Sequence, residues 1–139
     1  LNMAWETHVD FDRRTLWPGF KAGGKNRSMP LPMTEAAYGW LRQAREIAQT
    51  PWVCEWGGDR VANNKRALKT TYKRAGIDVA APAHVLRHTA GAWMAIEGVP
   101  LHEIARRLGH SSVRVTETHY AHLHPDHMGA STAALELRK

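Results

Sequence analysis

From His84 to Tyr120 the chain is punctuated at short intervals by residues that start and stop helices, and this constrains the fold more than anything else in the sequence. Residues 84–97 run to Gly98, residues 101–108 open after Pro100 and run to Gly109, and Ser111 or Ser112 stands before a third segment that carries Tyr120. Proline suits a helix start, where its missing N–H has no partner to lose, and glycine takes the left-handed conformation that closes a helix. A serine hydroxyl accepts from the free N–H groups of a first turn. Three helices therefore follow one another closely, and residues 126–139 can add a short fourth.

The N-terminal part reads differently. Between Val9 and Leu31 the segments "VDFD", "TLWPGF" and "RSMPL" place aromatic and β-branched residues between Gly, Pro and Asp, which predicts a small antiparallel sheet with a basic tip at residues 21–25. Thr34 can cap a helix whose apolar positions Ala37, Leu41, Ala44 and Ala48 recur at helical spacing and which ends before Pro51. "WVCEW" suggests a short edge strand. Residues 61–75 predict a basic helix closed by Gly76, with Arg66, Lys69 and Lys73 on one face. That face suits ordinary solvation or phosphate contact. The class that emerges is α+β and mostly helical, with the sheet packed on the helices, and at 139 residues one domain spanning 1–139 is expected.

Nineteen Lys and Arg against thirteen Asp and Glu give a net charge of +6, which favours a polyanionic partner over an acidic protein or a neutral metabolite. The sequence shows no apolar run long enough for a membrane span and no leader, so a cytoplasmic protein is expected. Cys54 is the one cysteine; it suits a reducing compartment and reads as a small buried residue.

"HVLRH" sets His84, Arg87 and His88 at i, i+3 and i+4, so all three project from one helix face. A guanidinium presents a planar fork of donors matched to phosphate oxygens, and an imidazole beside it relays protons near neutral pH. His110 follows His84 by 26 residues and Tyr120 follows His110 by ten. Taken together, "HVLRHTAGAW", "ARRLGHSSVRVTETHYAHL" and the upstream "KAGGKNRSMPL" resemble the catalytic domain of the tyrosine recombinases, the phage integrase family. The resemblance covers nearly the whole chain. Each motif is weak singly, and their order is specific.

The resemblance implies a role for each matching residue. Tyr120 is then the nucleophile that attacks the scissile phosphodiester and forms a 3′-phosphotyrosyl link. Arg87 matches the second of two arginines that clamp the nonbridging oxygens, His84 the box histidine that assists proton transfer, and His110 a histidine that hydrogen-bonds the phosphate. Lys21 matches the lysine that protonates the leaving 5′-oxygen, with Lys25 its rival because the loop to Pro30 is about a residue longer than in many members. His88 is usual in the box and is read as a supporting residue. No metal or other cofactor is implied. The partner is double-stranded DNA, bound by a homotetramer in the synaptic complex. The first clamp arginine falls ahead of Leu1 in this register, so the expectation is a fragment of the catalytic domain, monomeric in isolation and lacking half of the clamp.

The implied chemistry suits these side chains. Attack on phosphorus builds negative charge on the nonbridging oxygens, and losing one fixed donor there costs on the order of hundredfold in rate. A departing alkoxide needs a proton, and a placed acid contributes about 10²- to 10⁴-fold.

Three other readings compete. "LHEIARRLGHSSVRVTETHY" has the outline of a helix-turn-helix regulator, with Ser112, Arg114, Thr116 and Glu117 available to base edges. That reading leaves His84, Arg87 and Lys21 without a purpose. A metal site built from His119, His122, His124 and His127 lacks a consistent face and an accompanying cysteine or glutamate; His122, His124 and His127 also suit an exposed helix end. A type IB topoisomerase or telomere resolvase uses the same tyrosine logic, and the H-x-x-R-H and L-G-H-S-S phrasing favours a recombinase.

Overall fold

The computed structural model describes residues 3–18 and 29–136. The predicted basic tip, with Lys21 and Lys25, lies outside the described residues. The chain divides into two compact units, one ending at Ala67 and the other beginning at Leu68.

In the first unit a four-residue helix α1 (Trp5–His8) leads into strands β1 (Val9–Asp10), β2 (Thr15–Leu16) and β3 (Leu31–Pro32). They form one antiparallel sheet in the order β1-β2-β3, with Val9 opposite Leu16 and Leu16 opposite Leu31. Pro32 lacks an N–H, and its place on an edge strand is where that loss is tolerated. Helix α2 (Glu35–Glu46) starts where the sequence predicts, the Thr34 hydroxyl accepting from the Ala37 N–H at 3.2 Å. "WVCEW" contributes β4 (Glu55–Trp56), which turns through Gly57 and Gly58 into β5 (Asp59–Arg60). Both glycines have positive φ, 61° and 82°, which a two-residue hairpin turn with the twist of its strands demands.

Aromatic rings organise this unit. Trp5 is buried and stacks on Phe11 with centroids 6.4 Å apart, and Phe11 meets the edge of Tyr38 at 6.0 Å. Arginines cover the rings: Arg45 lies over Trp5, Arg42 over Phe11 and Arg14 over Tyr38. Arg14 also pairs with Glu35.

The unit boundary falls within α3 (Lys65–Arg74), the predicted basic helix, whose exit turns at Gly76 with φ 72°. The second unit is helical: α4 (Pro82–Ile96), α5 (Leu101–Leu108), α6 (Val113–Tyr120), a single 3-10 turn over Ala121–Leu123, and α7 (Gly129–Glu136). Helix α4 begins two residues before His84, with Pro82 in its first turn. Gly98 and Gly109 close α4 and α5 at φ 74° and 66°. The buried centre of this unit is Ala95, Ile104 and Tyr120, against which Met94, Val99, Leu101, Leu108 and Leu123 pack. The α+β, mostly helical expectation holds. Among the described residues no helix is long and apolar enough to cross a membrane.

Candidate active site

Helix α4 carries His84, Arg87, His88 and Gly91 over two turns, and the four positions fall on neighbouring rows of one face. His84, Arg87 and His88 are exposed, whereas Gly91 is buried. What buries Gly91 is the ring of Tyr120. That tyrosine is the last residue of α6 and only 3% exposed, a member of the helical core rather than a surface phenol.

The Tyr120 hydroxyl finds its partner on α4: it stands 2.8 Å from Nδ1 of His88. A phenol at a core margin needs such a partner, because an unpaired buried hydroxyl costs about 1–3 kcal/mol. His119 flanks the pair, its ring centroid 5.6 Å from that of His88 and 6.0 Å from that of Tyr120. The structure thus joins Tyr120 to His88, the box histidine given only a supporting part by the sequence, while His84 stands one turn earlier on the exposed part of α4.

His110 is placed by the closure of α5. Gly109 takes the left-handed conformation and its N–H returns to Ala105 and Arg106, after which the His110 N–H bonds the Ala105 carbonyl at 2.9 Å. The next turn begins α6, with the Ser112 hydroxyl accepting from the Arg114 N–H. This resolves the choice between Ser111 and Ser112 as the cap. Within α6, Thr116 is fully buried and its hydroxyl lies 2.8 Å from His110 Nδ1. Burial, then the positive charge of Arg87, then His119 and His88 hold the His110 pKa below its ordinary value of 6.5. Arg87 and His110 therefore share one electrostatic environment although one stands on α4 and the other in the turn before α6.

Two residues here escaped the sequence reading. Thr116 was visible only as a possible base-reading residue of a regulator, and Gly91 carried no signal beyond its small size. The i, i+4 spacing of His84 and His88 was the one hint that His88 belongs to the same face. Lys21 and Lys25 lie outside the described residues. Among the described residues no group of three His, Cys, Asp or Glu side chains converges as a metal site. His124 instead accepts from the Asp126 N–H at 3.2 Å.

A cationic fork, two imidazoles with distinct partners and a phenol hydrogen-bonded to one of them form an arrangement fit for transfer at a phosphorus: donors for developing negative charge, and a nucleophile with a proton acceptor beside it.

Comparison with known proteins gives the same direction. The phage integrase family model matches residues 1–127. A tyrosine recombinase XerC of Bifidobacterium longum (strain DJO10A) is 32% identical over 132 residues, covering 83% of this chain and 36% of the relative. A tyrosine recombinase XerD of Rhizobium meliloti (strain 1021) is 34% identical over 110 residues, covering 73% of this chain and 35% of the relative. An integrase of Salmonella phage P22 is 24% identical over 144 residues, covering 92% of this chain and 36% of the relative. The chain thus spans little more than a third of the length of the curated relatives it matches. No solved structure matches it at comparable significance.

Proposed function

Because the chain belongs to the phage integrase family, we propose that it is the catalytic part of a longer site-specific recombinase that breaks and rejoins double-stranded DNA through a 3′-phosphotyrosyl intermediate. The observation that carries this reading is the convergence of Tyr120, His88, Arg87 and His110 in the helical unit, from helices α4 and α6 and the turn that precedes α6.

In this account Tyr120 attacks the phosphorus and the bond energy is kept in the phosphotyrosyl ester for religation. Arg87, exposed on α4, supplies one arm of the clamp on the nonbridging oxygens. His110 donates to the same phosphate through Nε2. Its hydrogen bond with Thr116 occupies Nδ1, and a hydroxyl donating there leaves the ring proton on Nε2. His84, one turn before His88, assists proton transfer at the exposed end of the site. Lys21, or Lys25 in its place, protonates the leaving 5′-oxygen. No metal or nucleotide cofactor takes part.

Basic residues supply most of the DNA affinity through phosphates, among them the Arg66, Lys69 and Lys73 face of α3, so binding falls steeply with salt. The protein works in the cytoplasm, as a tetramer on paired DNA sites. Helix α7, with Leu135 75% exposed, is the segment we assign to docking on a neighbouring protomer.

The test uses the longer polypeptide and a nicked DNA from which the cleaved 5′ strand diffuses away, trapping the covalent adduct. Arg87→Ala is expected to lower adduct formation by about hundredfold or more while DNA binding changes little. Equal losses of cleavage and binding would favour the helix-turn-helix regulator.

A further inference from the structure

We infer that His88 is the proton acceptor for Tyr120, a catalytic role in contact with the reacting oxygen; the inference rests on the recombinase reading above and deepens it. Three observations carry it. His88 Nδ1 lies 2.8 Å from the phenolic oxygen, within reach of direct transfer. His88 is itself exposed although Tyr120 is buried, so the hydroxyl sits at the margin of the core, beside a ring that is open to solvent. Gly91, one turn beyond His88 on α4, leaves the space that lets the phenol approach this closely.

The groups facing His88 are few. Tyr120 and His119 meet it from α6, Arg87 adjoins it on α4, and His110 interacts with it from the turn before α6. Among the described residues no carboxylate forms an ion pair with it. An acceptor next to a phenol and without a carboxylate partner has one evident proton to take.

In cleavage, the Tyr120 oxygen bonds to phosphorus, the bond from phosphorus to the 5′-oxygen breaks, and the phenolic proton passes to His88 Nδ1. The departing 5′-oxygen is protonated by a separate acid, assigned above to Lys21 or Lys25. In religation the 5′-hydroxyl attacks phosphorus and gives its proton to that group's conjugate base; the tyrosine oxygen leaves and recovers its proton from the His88 imidazolium. Protons and bonds are restored over the cycle.

The experiment follows covalent adduct formation in single turnovers of the longer polypeptide on nicked DNA, with DNA binding measured in parallel. His88→Ala is expected to lose about hundredfold or more in cleavage at unchanged DNA affinity. His88→Asn, whose amide oxygen accepts the phenol's hydrogen bond without taking its proton, is expected to remain as slow. A ring-fluorinated tyrosine at position 120 has a more acidic phenol and less need of an acceptor, so it restores most of the rate lost in His88→Ala. A 5′-bridging sulfur on the DNA, which eases leaving-group departure alone, does not. Parental or faster cleavage by His88→Ala would overturn the inference, the faster result making the hydrogen bond a lock on the phenol. Full activity of His88→Asn would equally reduce His88 to a positioning group. Adduct formation by Tyr120→Phe, in contrast, would remove the recombinase reading itself, so the two failures are distinct.

Discussion

A Cβ built on Gly91 stands 2.5 Å from Cζ of Tyr120 and 2.8 Å from its hydroxyl oxygen, distances at which the atoms overlap. The phenol is therefore seated against the bare backbone of α4. Gly91→Ala sets two effects against each other. Alanine is the better helix former by about 0.8–1 kcal/mol, whereas overpacking a filled core costs about 1–3 kcal/mol. The obstructing atoms belong to a ring that is itself buried, so the clash wins. Chemical denaturation is expected to show a net loss of stability, and the adduct yield on nicked DNA to fall because the phenol is displaced from His88. An unchanged midpoint together with an unchanged yield would mean that the ring moves aside freely.

Thr116 is predicted to act through His110. Thr116→Ser keeps a hydroxyl near His110 Nδ1 and is expected to retain cleavage. Thr116→Val keeps the volume, removes the hydrogen bond and frees the ring to adopt the other tautomer. It is expected to lower the cleavage rate with little effect on DNA affinity, and the serine variant separates this loss from a packing defect.

His110 is expected to titrate below 6.5 in an NMR pH series on the chain, because burial and the Arg87 guanidinium both disfavour its charged form. Arg87→Ala removes the second of these influences, so the midpoint moves up toward 6.5. The sign carries over to stability. Between the folded midpoint and 6.5 the unfolded chain binds more protons, so this contribution is complete above about 6.5 and is lost as pH falls through the folded midpoint. A midpoint unmoved in Arg87→Ala would show that the guanidinium takes no part in the shift.

The helix boundaries that frame this site were legible because they rest on local chemistry. Gly98, Pro100, Gly109 and Ser112 dictate turns and caps whatever surrounds them, and the Thr34 cap and the sheet between Val9 and Pro32 follow from equally local signals. Motif order singled out Tyr120, Arg87 and His110 as candidates. The pairings were not. His88 and Tyr120 are 32 residues apart, and their hydrogen bond depends on how α6 crosses α4. Gly91 shows its purpose only when the phenol is laid against it, and the Thr116 hydroxyl matters because its burial leaves it His110 as a partner.

Ile104 is fully buried beside Tyr120 and Ala95 in the centre of the helical unit. Ile104→Ala is predicted to cost about 2–5 kcal/mol, from lost burial and the cavity that remains. The denaturation midpoint of the chain measures this directly. Ile104→Val, which removes one methylene, is expected to cost about 0.5–1.5 kcal/mol.

Covalent joining of Tyr120 to DNA is the step on which the proposed function turns. Its most direct test is mass spectrometry of the trapped adduct after nuclease and trypsin digestion. Cleavage after Arg114 and Arg138 releases residues 115–138, in which Tyr120 is the sole tyrosine. A nucleotide linked through phosphate to Tyr120 on that peptide is expected, as is its loss in Tyr120→Phe. A link at any other residue, or an adduct that survives Tyr120→Phe, would contradict it.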